Sequence, residues 1–363
     1  KYGGLGFSAL GHSQVISALA AGSLPLTIST MVPNSLGPAE LLIHYGTEKQ
    51  KDYYLPRLAT GQEIPCFGLT EVGAGSDAGS LTSSAVVFKG EDGKLYLRMN
   101  WKKRWITLGA VATVLGLAVK LSDPEELLGK GKDLGITCIL VPSDVEGVVL
   151  GLRHDPLGVP FINSPIEGKD VVVSIDQIIG GVEGAGKGWL MLMECLAAGR
   201  SISLPSQATG GARAINRFVG TYAQVRHQFG LHIGDFEGVD EALARIGAFT
   251  YLLEASRIFT ASAVDSGIKP AVVSAIAKYN STEISRKIIN DAMDILGGSG
   301  ISQGPRNVIA RVYKAIPIGI TVEGANILTR TMIIFGQGAI RCHPHAYDEV
   351  VAIEKNDLAL FDK

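Results

Sequence analysis

The loop at residues 67–77, which reads Phe-Gly-Leu-Thr-Glu-Val-Gly-Ala-Gly-Ser-Asp, has the clearest chemical potential in the chain. Its glycines let the backbone approach a ligand closely, and its hydroxyls donate hydrogen bonds. Such a loop can present N–H groups to an anion such as a pyrophosphate. It lacks the Gly-Lys-Ser/Thr of a P-loop and follows no Rossmann strand. Taken alone, a glycine-rich turn between two domains explains it equally well.

A second group of reactive side chains, Cys342, His343 and His345, lies near the end of the chain, with His12 far away in sequence. Thiolate and imidazole ligands suit zinc, but Pro344 separates the two histidines and no other ligands cluster with them. We therefore predict no metal site. The four cysteines are scattered without a CxxC motif, which argues against a disulfide scaffold and favours reducing surroundings.

Composition excludes several classes of protein. The 363 residues carry 33 Lys+Arg and 35 Asp+Glu, a net charge of −2, so we predict no nucleic-acid partner. Hydrophobic residues at 46% and charged residues at 19% exclude a disordered chain. Residues 2–39 contain no Asp, Glu, Lys or Arg, but glycines and prolines interrupt them, so a buried segment is favoured over a membrane span.

The hydrophobic pattern divides the chain into three blocks. Residues 8–58 have helical spacing with proline breaks, and residues 189–222, 237–266, 270–296 and 318–335 have long helical periodicity. Between them lie short β-type runs at 85–88, 95–99, 111–119, 136–141, 148–152 and 171–175, separated by turn residues. A doubly wound nucleotide fold would alternate strands and helices. The pattern therefore predicts an α+β fold with a central β domain and a final helix bundle.

Five segments, in family order, resemble signatures of the acyl-CoA dehydrogenases. The loop at 67–77 resembles Thr-Glu-Pro-Gly-Ala-Gly-Ser-Asp with Val72 in place of proline, and residues 105–109 resemble Trp-Ile-Thr-Asn-Gly. Residues 226–230 resemble Arg-x-x-Phe-Gly, residues 295–300 resemble Ile-Leu-Gly-Gly-Asn-Gly, and residues 322–324 stand where the family has Tyr-Glu-Gly. The tail at 335–345 is most similar to the long bacterial branch that serves fatty-acid β-oxidation.

The resemblance implies a domain order for the chain. The chain would begin with an incomplete N-terminal helical segment at 1–64. A middle antiparallel β-barrel domain at 65–183 and a C-terminal helical bundle at 184–345 would follow. Residues 346–363 would begin a C-terminal extension. Because the chain starts at Lys1 without Met, we expect it to be most of a catalytic core from a longer protein.

The family's reaction removes a proton from Cα and a hydride from Cβ of a saturated acyl thioester, so it needs a base and a hydride acceptor. The resemblance implies acyl-CoA as substrate, FAD as cofactor and Glu323 as the base. It implies substrate contacts from Ser76, Arg200 and Gly324. The implied cofactor-binding residues are Thr70, Ser76, Trp105, Ile106, Thr107, Arg226, Gln228, Phe229, Gly297 and Gly298.

The resemblance also implies partners. In the family the equivalent of Arg226 binds the FAD diphosphate of a neighbouring subunit, so we expect a homo-oligomer, a dimer or a tetramer. We expect an electron-transfer flavoprotein as electron acceptor. The expected location is cytoplasmic, with a peripheral position at the inner membrane as an alternative.

Other interpretations of these residues remain open at this stage. Spacing alone favours Glu323 as an exposed glutamate near a helix start. For Arg200, an ion pair with Glu194 or another acid is an equally good explanation, as is a half-buried barrel position for Trp105. At the level of function, the alternatives are an acyl-CoA oxidase and a non-catalytic acyl-CoA-binding subunit of the same fold. A flavin monooxygenase component is disfavoured, since those relatives generally lack the glutamate.

The chain also departs from the family pattern. Asp294 and Glu237 stand where the family often has glutamine near the FAD diphosphate, and Ala325, Asn326 and Ile327 replace its Thr-x-Gln after the Glu-Gly pair. Ala197 replaces an acid often found three residues before Arg200. Pro205 and Pro317 lie within expected helices, where proline bends or breaks the chain.

Overall fold

The computed structural model describes residues 2–35, 37–268 and 271–362. The N-terminal block consists of α1 (Ala9–Gly22), α2 (Leu24–Ser35), α3 (Pro38–Tyr45) and α4 (Glu48–Thr60). The Ser8 side chain caps α1, and the carboxylate of Asp265 accepts hydrogen bonds from the first two N–H groups of that helix. Thr47 and Gln50 form a reciprocal capping box at the start of α4.

The middle block is a seven-stranded sheet. Strand β4 is central: β1 and β2 pair in parallel along one side, and β5 pairs antiparallel along the other. The sheet continues through the antiparallel pairs β2–β3, β3–β7 and β7–β6. The middle β domain is confirmed, but its pairing is mixed rather than purely antiparallel. The strands are β1 (Pro65–Gly68), β2 (Ser84–Lys89), β3 (Leu95–Thr107), β4 (Val114–Ser122), β5 (Asp133–Pro142), β6 (Val148–Leu150) and β7 (Asn163–Ser174).

The C-terminal block is a helix bundle with one small hairpin. Its elements are α5 (Gly188–Val225), β8 (His227–Gln228), β9 (Leu231–His232), α6 (Glu237–Asp265), α7 (Ala271–Leu296), α8 (Gly298–Ile301), α9 (Val308–Thr321), α10 (Asn326–Leu328), α11 (Gly338–Cys342), α12 (Ala346–Lys355) and α13 (Leu358–Phe361). A π-helical stretch, Thr329–Gln337, joins α10 to α11. Helix α5 is the long central element and packs against α1, α6 and α7.

Neither proline breaks its helix, and one predicted helix is divided in two. Both prolines lie inside helices, because α5 continues through Pro205 and α9 through Pro317. Each proline removes one N–H donor, and burial of a long apolar face outweighs that single loss. The predicted helix at 318–335 is instead the end of α9, an irregular turn and a second helical stretch, which places a break at residues 322–325.

The β domain and the bundle meet through a shared apolar cluster. Val159 and Phe161, in the loop before β7, pack with Ile16 and Met31 of the N-terminal helices and with Ala315 of α9. This loop also supports the end of β3, since the Leu108 N–H donates to the carbonyl of Ile162. The segment after β3 and the end of α9 therefore border the same junction.

Within the described residues, no single helix is long and apolar enough to cross a membrane. Only the bent pair Val308–Thr321 with Asn326–Ile340 reaches the required length and composition together.

Candidate active site

The turn after α9 holds the most unusual carboxylate among the described residues. Glu323 and Gly324 both have positive φ, at 55° and 92°, a conformation that is uncommon for a non-glycine residue. The Glu323 residue is partly exposed, but its Oε2 is buried and has no hydrogen-bond partner. Burial raises the pKa of Glu323, while the nearby charges of Arg200 and Lys278 act in the opposite direction. Strain and an unpartnered buried oxygen together make this turn a candidate functional site.

Arg200, on α5, contacts the backbone of this turn. Its Nε donates to the Glu323 carbonyl over 3.0 Å. Burial lowers the pKa of Arg200, and the Glu323 charge opposes this. The Glu194 carboxylate, its alternative partner by sequence, accepts a hydrogen bond from the Tyr45 hydroxyl at 2.7 Å. Arg200 is predicted to contact substrate, and the structure adds a role in holding the glutamate.

Lys278, on α7, was missed by the sequence reasoning. It is 0% exposed, and its Nζ donates to the carbonyls of Ile320 and Gly324 and to Oδ1 of Asn326. The only signal for Lys278 in the sequence is a lysine on the face of α7 that is buried. Its neighbours on that face, such as Ala275 and Ser281, are small residues. The departure at residue 326 also has an explanation here, because Asn326 is buried beside the lysine.

A second buried lysine organises the loop at 67–77. Lys103 of β3 donates to a carboxylate oxygen of Glu71 at 2.7 Å and to the carbonyls of Leu69 and Ala118. Burial alone would raise the pKa of Glu71, but hydrogen bonds from Lys103, Ser83 and Thr82 outweigh it and lower that pKa to about 2. The motif's glutamate is therefore an anchor that fixes the adjacent Thr70, a predicted cofactor contact.

The segment 105–107 lies at the end of β3, next to this loop. A β-bulge between Lys103 and Ile106 gives Trp105 a φ of 59° and leaves its indole 54% exposed. The Arg104 guanidinium covers one face of the indole, 3.7 Å from the ring centroid. The backbone N–H of Arg104 donates to the Thr70 carbonyl, which places Thr70 beside the final part of β3, the strand that ends at Thr107. Ile106 has its side chain in the core, 3% exposed, so its predicted contact would use backbone atoms.

The remaining predicted cofactor residues lie elsewhere. Arg226, Gln228 and Phe229 form the exposed β8–β9 hairpin region, with Phe229 93% exposed. Gly297 and Gly298 lie nearby, since the Tyr222 hydroxyl of α5 contacts the Ser299 hydroxyl at 3.4 Å. Residues 200 and 226 are separated by about 39 Å along α5, at 1.5 Å per residue. The hairpin thus lies far from the Glu323 turn of its own chain.

A narrow apolar slot runs through the bundle towards the Glu323 turn. It is lined by α5 and α7, by the α1–α2 corner and by α9 up to Gly319, four residues before the glutamate. Leu24, Leu204 and Ala212 represent its largely apolar wall. Thr282 lines it one helical turn from Lys278. An extended apolar chain is the ligand that such a slot suits.

Comparison with known proteins bears on these features. Family models for the N-terminal, middle and C-terminal domains of acyl-CoA dehydrogenase match residues 1–62, 66–171 and 186–336. A short/branched chain specific acyl-CoA dehydrogenase from Bos taurus is 30% identical over 337 residues, 92% of this chain and 73% of the relative. The chain belongs to the acyl-CoA dehydrogenase family.

Other members of this family extend the comparison. The very long-chain specific acyl-CoA dehydrogenase of Rattus norvegicus is 30% identical over 335 residues, 92% of this chain, and the chain spans about half of that relative's length, 50%. The butyryl-CoA dehydrogenase structure from Megasphaera elsdenii superposes with a TM-score of 0.81 at 26% identity, covering 92% of this chain and 82% of the other. The fold of this acyl-CoA dehydrogenase family member thus agrees with its solved relatives.

The cysteine–histidine group near the C-terminus remains outside this site. The described residues contain no group of three or more His, Cys, Asp or Glu side chains arranged to hold a metal ion. His343 instead accepts hydrogen bonds at Nδ1 from the backbone N–H groups of His345 and Ala346.

Proposed function

We propose that the protein oxidises a saturated acyl-CoA to the trans-2-enoyl-CoA with FAD as cofactor, Glu323 removing the α-proton. The observation that carries this proposal is the buried, unpartnered Oε2 of Glu323, in a turn four residues beyond Gly319, which lines an apolar slot. A carboxylate in water is a weak base, and burial raises its pKa towards a useful range. Family membership makes acyl-CoA the expected substrate.

The residues at the junction fit FAD. No described residue hydrogen-bonds the Thr70 or Thr107 hydroxyls, which leaves both available to a polar ring edge. A Cβ added at Gly73 or Gly75 would meet no atom within 4 Å, so the loop backbone is open to a ligand. A bound flavin supplies the hydride acceptor that ordinary side chains cannot provide. An acyl-CoA dehydrogenase from Bacillus anthracis, which shares this fold, has been solved in complex with FAD.

The turn has a second chemical function in this proposal. No described residue accepts a hydrogen bond from the Glu323 backbone N–H, so this donor is available to the thioester carbonyl oxygen. A hydrogen bond to that oxygen stabilises the enolate-like state and acidifies the α-carbon. Arg200 supports the geometry by holding the Glu323 carbonyl on the other side of the residue.

The proposal extends to assembly and partners. The exposed hairpin with Arg226 and Phe229 lies too far along α5 to bind its own chain's junction cofactor, which favours a homo-oligomer in which it contacts a neighbouring subunit's FAD. We propose an electron-transfer flavoprotein as acceptor, as the family resemblance implies. A cytoplasmic location, with a peripheral inner-membrane position as the alternative, completes the proposal.

Anaerobic bleaching of bound flavin tests the proposed base. Wild-type protein mixed with butyryl-, octanoyl- or palmitoyl-CoA is expected to lose its flavin absorbance with at least one of them. Glu323→Gln should slow this by about 10³-fold, the order of a general base's contribution. Glu349→Gln, an exposed glutamate on α12, is the control. Bleaching at the wild-type rate in Glu323→Gln would exclude this residue as the base.

The same preparation tests the electron acceptor. Turnover with an artificial acceptor and little peroxide formation in oxygen supports a dehydrogenase, whereas rapid peroxide formation identifies an oxidase. A protein that stays colourless after added FAD but binds acyl-CoA would be a non-catalytic subunit.

A further inference from the structure

Lys278 is the buried cation nearest to the backbone of the proposed catalytic turn. Its ammonium has three N–H donors and uses all three, on the Ile320 carbonyl at 3.2 Å, the Gly324 carbonyl at 2.7 Å and Asn326 Oδ1 at 2.7 Å. None of the three acceptors is a carboxylate. The charge of this lysine is therefore not neutralised by a hydrogen-bonded acid.

The three acceptors lie on both sides of Glu323. The Ile320 carbonyl belongs to the last turn of α9, where carbonyls have no partner within the helix and a positive charge is favourable. The Gly324 carbonyl follows Glu323 directly, and Asn326 begins α10. One ammonium thus joins the end of α9, the turn and the start of the next helix.

Arg200 and Lys278 together fix consecutive peptide groups. Arg200 binds the Glu323 carbonyl and Lys278 binds the Gly324 carbonyl, each from a different helix. Asn326 is itself fixed, because its Nδ2 donates to the Thr282 hydroxyl and to the Glu283 carboxylate. The positive φ angles at residues 323 and 324 therefore depend on two cations from α5 and α7.

We propose that Lys278 is a positioning residue for Glu323, holding the 320–326 turn in the conformation that presents the carboxylate to the acyl-CoA α-carbon. This inference rests on the proposed function. Lys278 is not among the residues that line the slot, and it acts through the backbone of the turn. The mechanism requires the protonated ammonium, because a neutral amine has two N–H donors for three acceptors.

The charges that face Lys278 set its titration. They are the Glu323 carboxylate, the Arg200 guanidinium from α5 and the Glu283 carboxylate of α7. Burial, opposed by Glu323 and Glu283 and reinforced by Arg200, lowers the pKa of Lys278 to about 8. Flavin bleaching by the wild-type protein is therefore expected to decline as pH rises through about 8.

The test compares Lys278→Met with Lys287→Met, an exposed lysine on the same helix. Lys278→Met should lower the anaerobic bleaching rate constant by about 100-fold, the effect of displacing a catalytic group by about 1 Å. FAD content should be unchanged, and the Kd for acyl-CoA should change less than about threefold. The alkaline decline should be absent from Lys278→Met. Wild-type bleaching and an unchanged pH profile in this variant would overturn the proposal.

A readout without chemistry separates this inference from the proposed function. The Val322 and Thr329 amides are bonded to the Ile318 and Ala325 carbonyls, and their hydrogen exchange should accelerate selectively in Lys278→Met. Unchanged exchange at both amides would overturn the positioning role. If no acyl-CoA bleaches the wild-type flavin, the proposed function fails and the exchange result still decides the role of Lys278.

A second variant covers the case in which Lys278→Met does not fold. Asn326→Ala removes one acceptor of the ammonium and the link to Thr282. We expect a smaller loss of bleaching rate, about 10-fold, with the same faster exchange at Val322 and Thr329. Wild-type values for both quantities in this variant would contradict the proposal.

Discussion

Two fully buried lysines, one in each half of the molecule, hold the two loops on which the proposed chemistry depends. Lys103 fixes the 67–77 loop of the β domain, and Lys278 fixes the Glu323 turn of the bundle. Each donates to two backbone carbonyls. The third bond differs: Lys103 donates to the Glu71 carboxylate, whereas Lys278 donates to the neutral amide of Asn326.

This difference separates anchoring from positioning. In the β domain the positive charge is neutralised locally, and the ion pair exerts little field on a ligand at the junction. In the bundle the charge of Lys278 stays available to the nearby Glu323, the carboxylate that we propose as the base. The β-domain lysine should therefore matter mainly for folding, and the bundle lysine mainly for the reaction.

The largest stability effect should come from Lys103→Met. The substitution leaves the Glu71 carboxylate buried without its cation, which costs about 3–5 kcal/mol in the free energy of unfolding. Urea unfolding of the FAD-loaded protein measures this loss in the free energy of unfolding. Lys102→Met, at the exposed neighbouring position, is the control and should change it by less than about 0.5 kcal/mol. A loss below about 1 kcal/mol in Lys103→Met would remove the distinction between the lysines.

A smaller stability effect is expected from Lys278→Met in the same assay. No opposite charge loses a hydrogen-bonded partner, and the Gly324 carbonyl keeps its bond from the Thr329 hydroxyl. The Ile320 carbonyl and Asn326 Oδ1 lose their partner, which should cost about 1–3 kcal/mol. The ratio of lost activity to lost stability should therefore be greater for Lys278→Met than for Lys103→Met. The reverse order would contradict the contrast between anchor and positioning residue.

Two glycine substitutions sharpen the comparison at the level of the backbone. Gly324→Ala and Gly135→Ala both place a Cβ at positive φ, 92° in the turn and 86° in β5, and each should cost about 1 kcal/mol. The new Cβ at residue 324 would lie 3.1 Å from the Thr329 hydroxyl, while that at residue 135 would meet nothing within 4 Å. Flavin bleaching should slow only in Gly324→Ala, and equal slowing in both variants would argue against a specific role of the turn.

Glu71 should also give the free energy of unfolding a dependence on pH. Its pKa of about 2 in the folded protein lies below the ordinary value of 4.5, so its stabilising contribution is complete above pH 4.5 and is lost as pH falls through about 2. The free energy of unfolding in Glu71→Gln should lack this decrease. A decrease of equal size in the variant would assign the acid sensitivity to other carboxyl groups.

The block order and most of the predicted site residues came from sequence, because hydrophobic period and short motifs are local properties. The β run predicted at 95–99 belongs to this class, although the strand in fact continues to Thr107 and ends on the Trp105–Thr107 motif. The continuation of α9 through Pro317 could not be predicted in this way. Proline favours a break locally, and packing of the bundle overrides that preference.

Contacts between distant helices could not be predicted. Lys278 and Glu323 are 45 residues apart, and nothing near either residue in the sequence indicates that a buried ammonium caps the turn. The same holds for Lys103 and Glu71, which pair across strands. Arg200 was predicted from the family resemblance, but its contact with the Glu323 carbonyl required the structure.

Exchange of the substrate's α-protons tests most directly the claim that the buried carboxylate of Glu323 is the base. The analogue 3-thiaoctanoyl-CoA carries sulfur in place of the β-carbon, so it cannot lose a β-hydride and isolates proton removal. Wild-type protein loaded with FAD should exchange its α-protons with D2O, and Glu323→Gln should slow this by about 10³-fold while still binding the analogue. Exchange at the wild-type rate in Glu323→Gln would contradict the account.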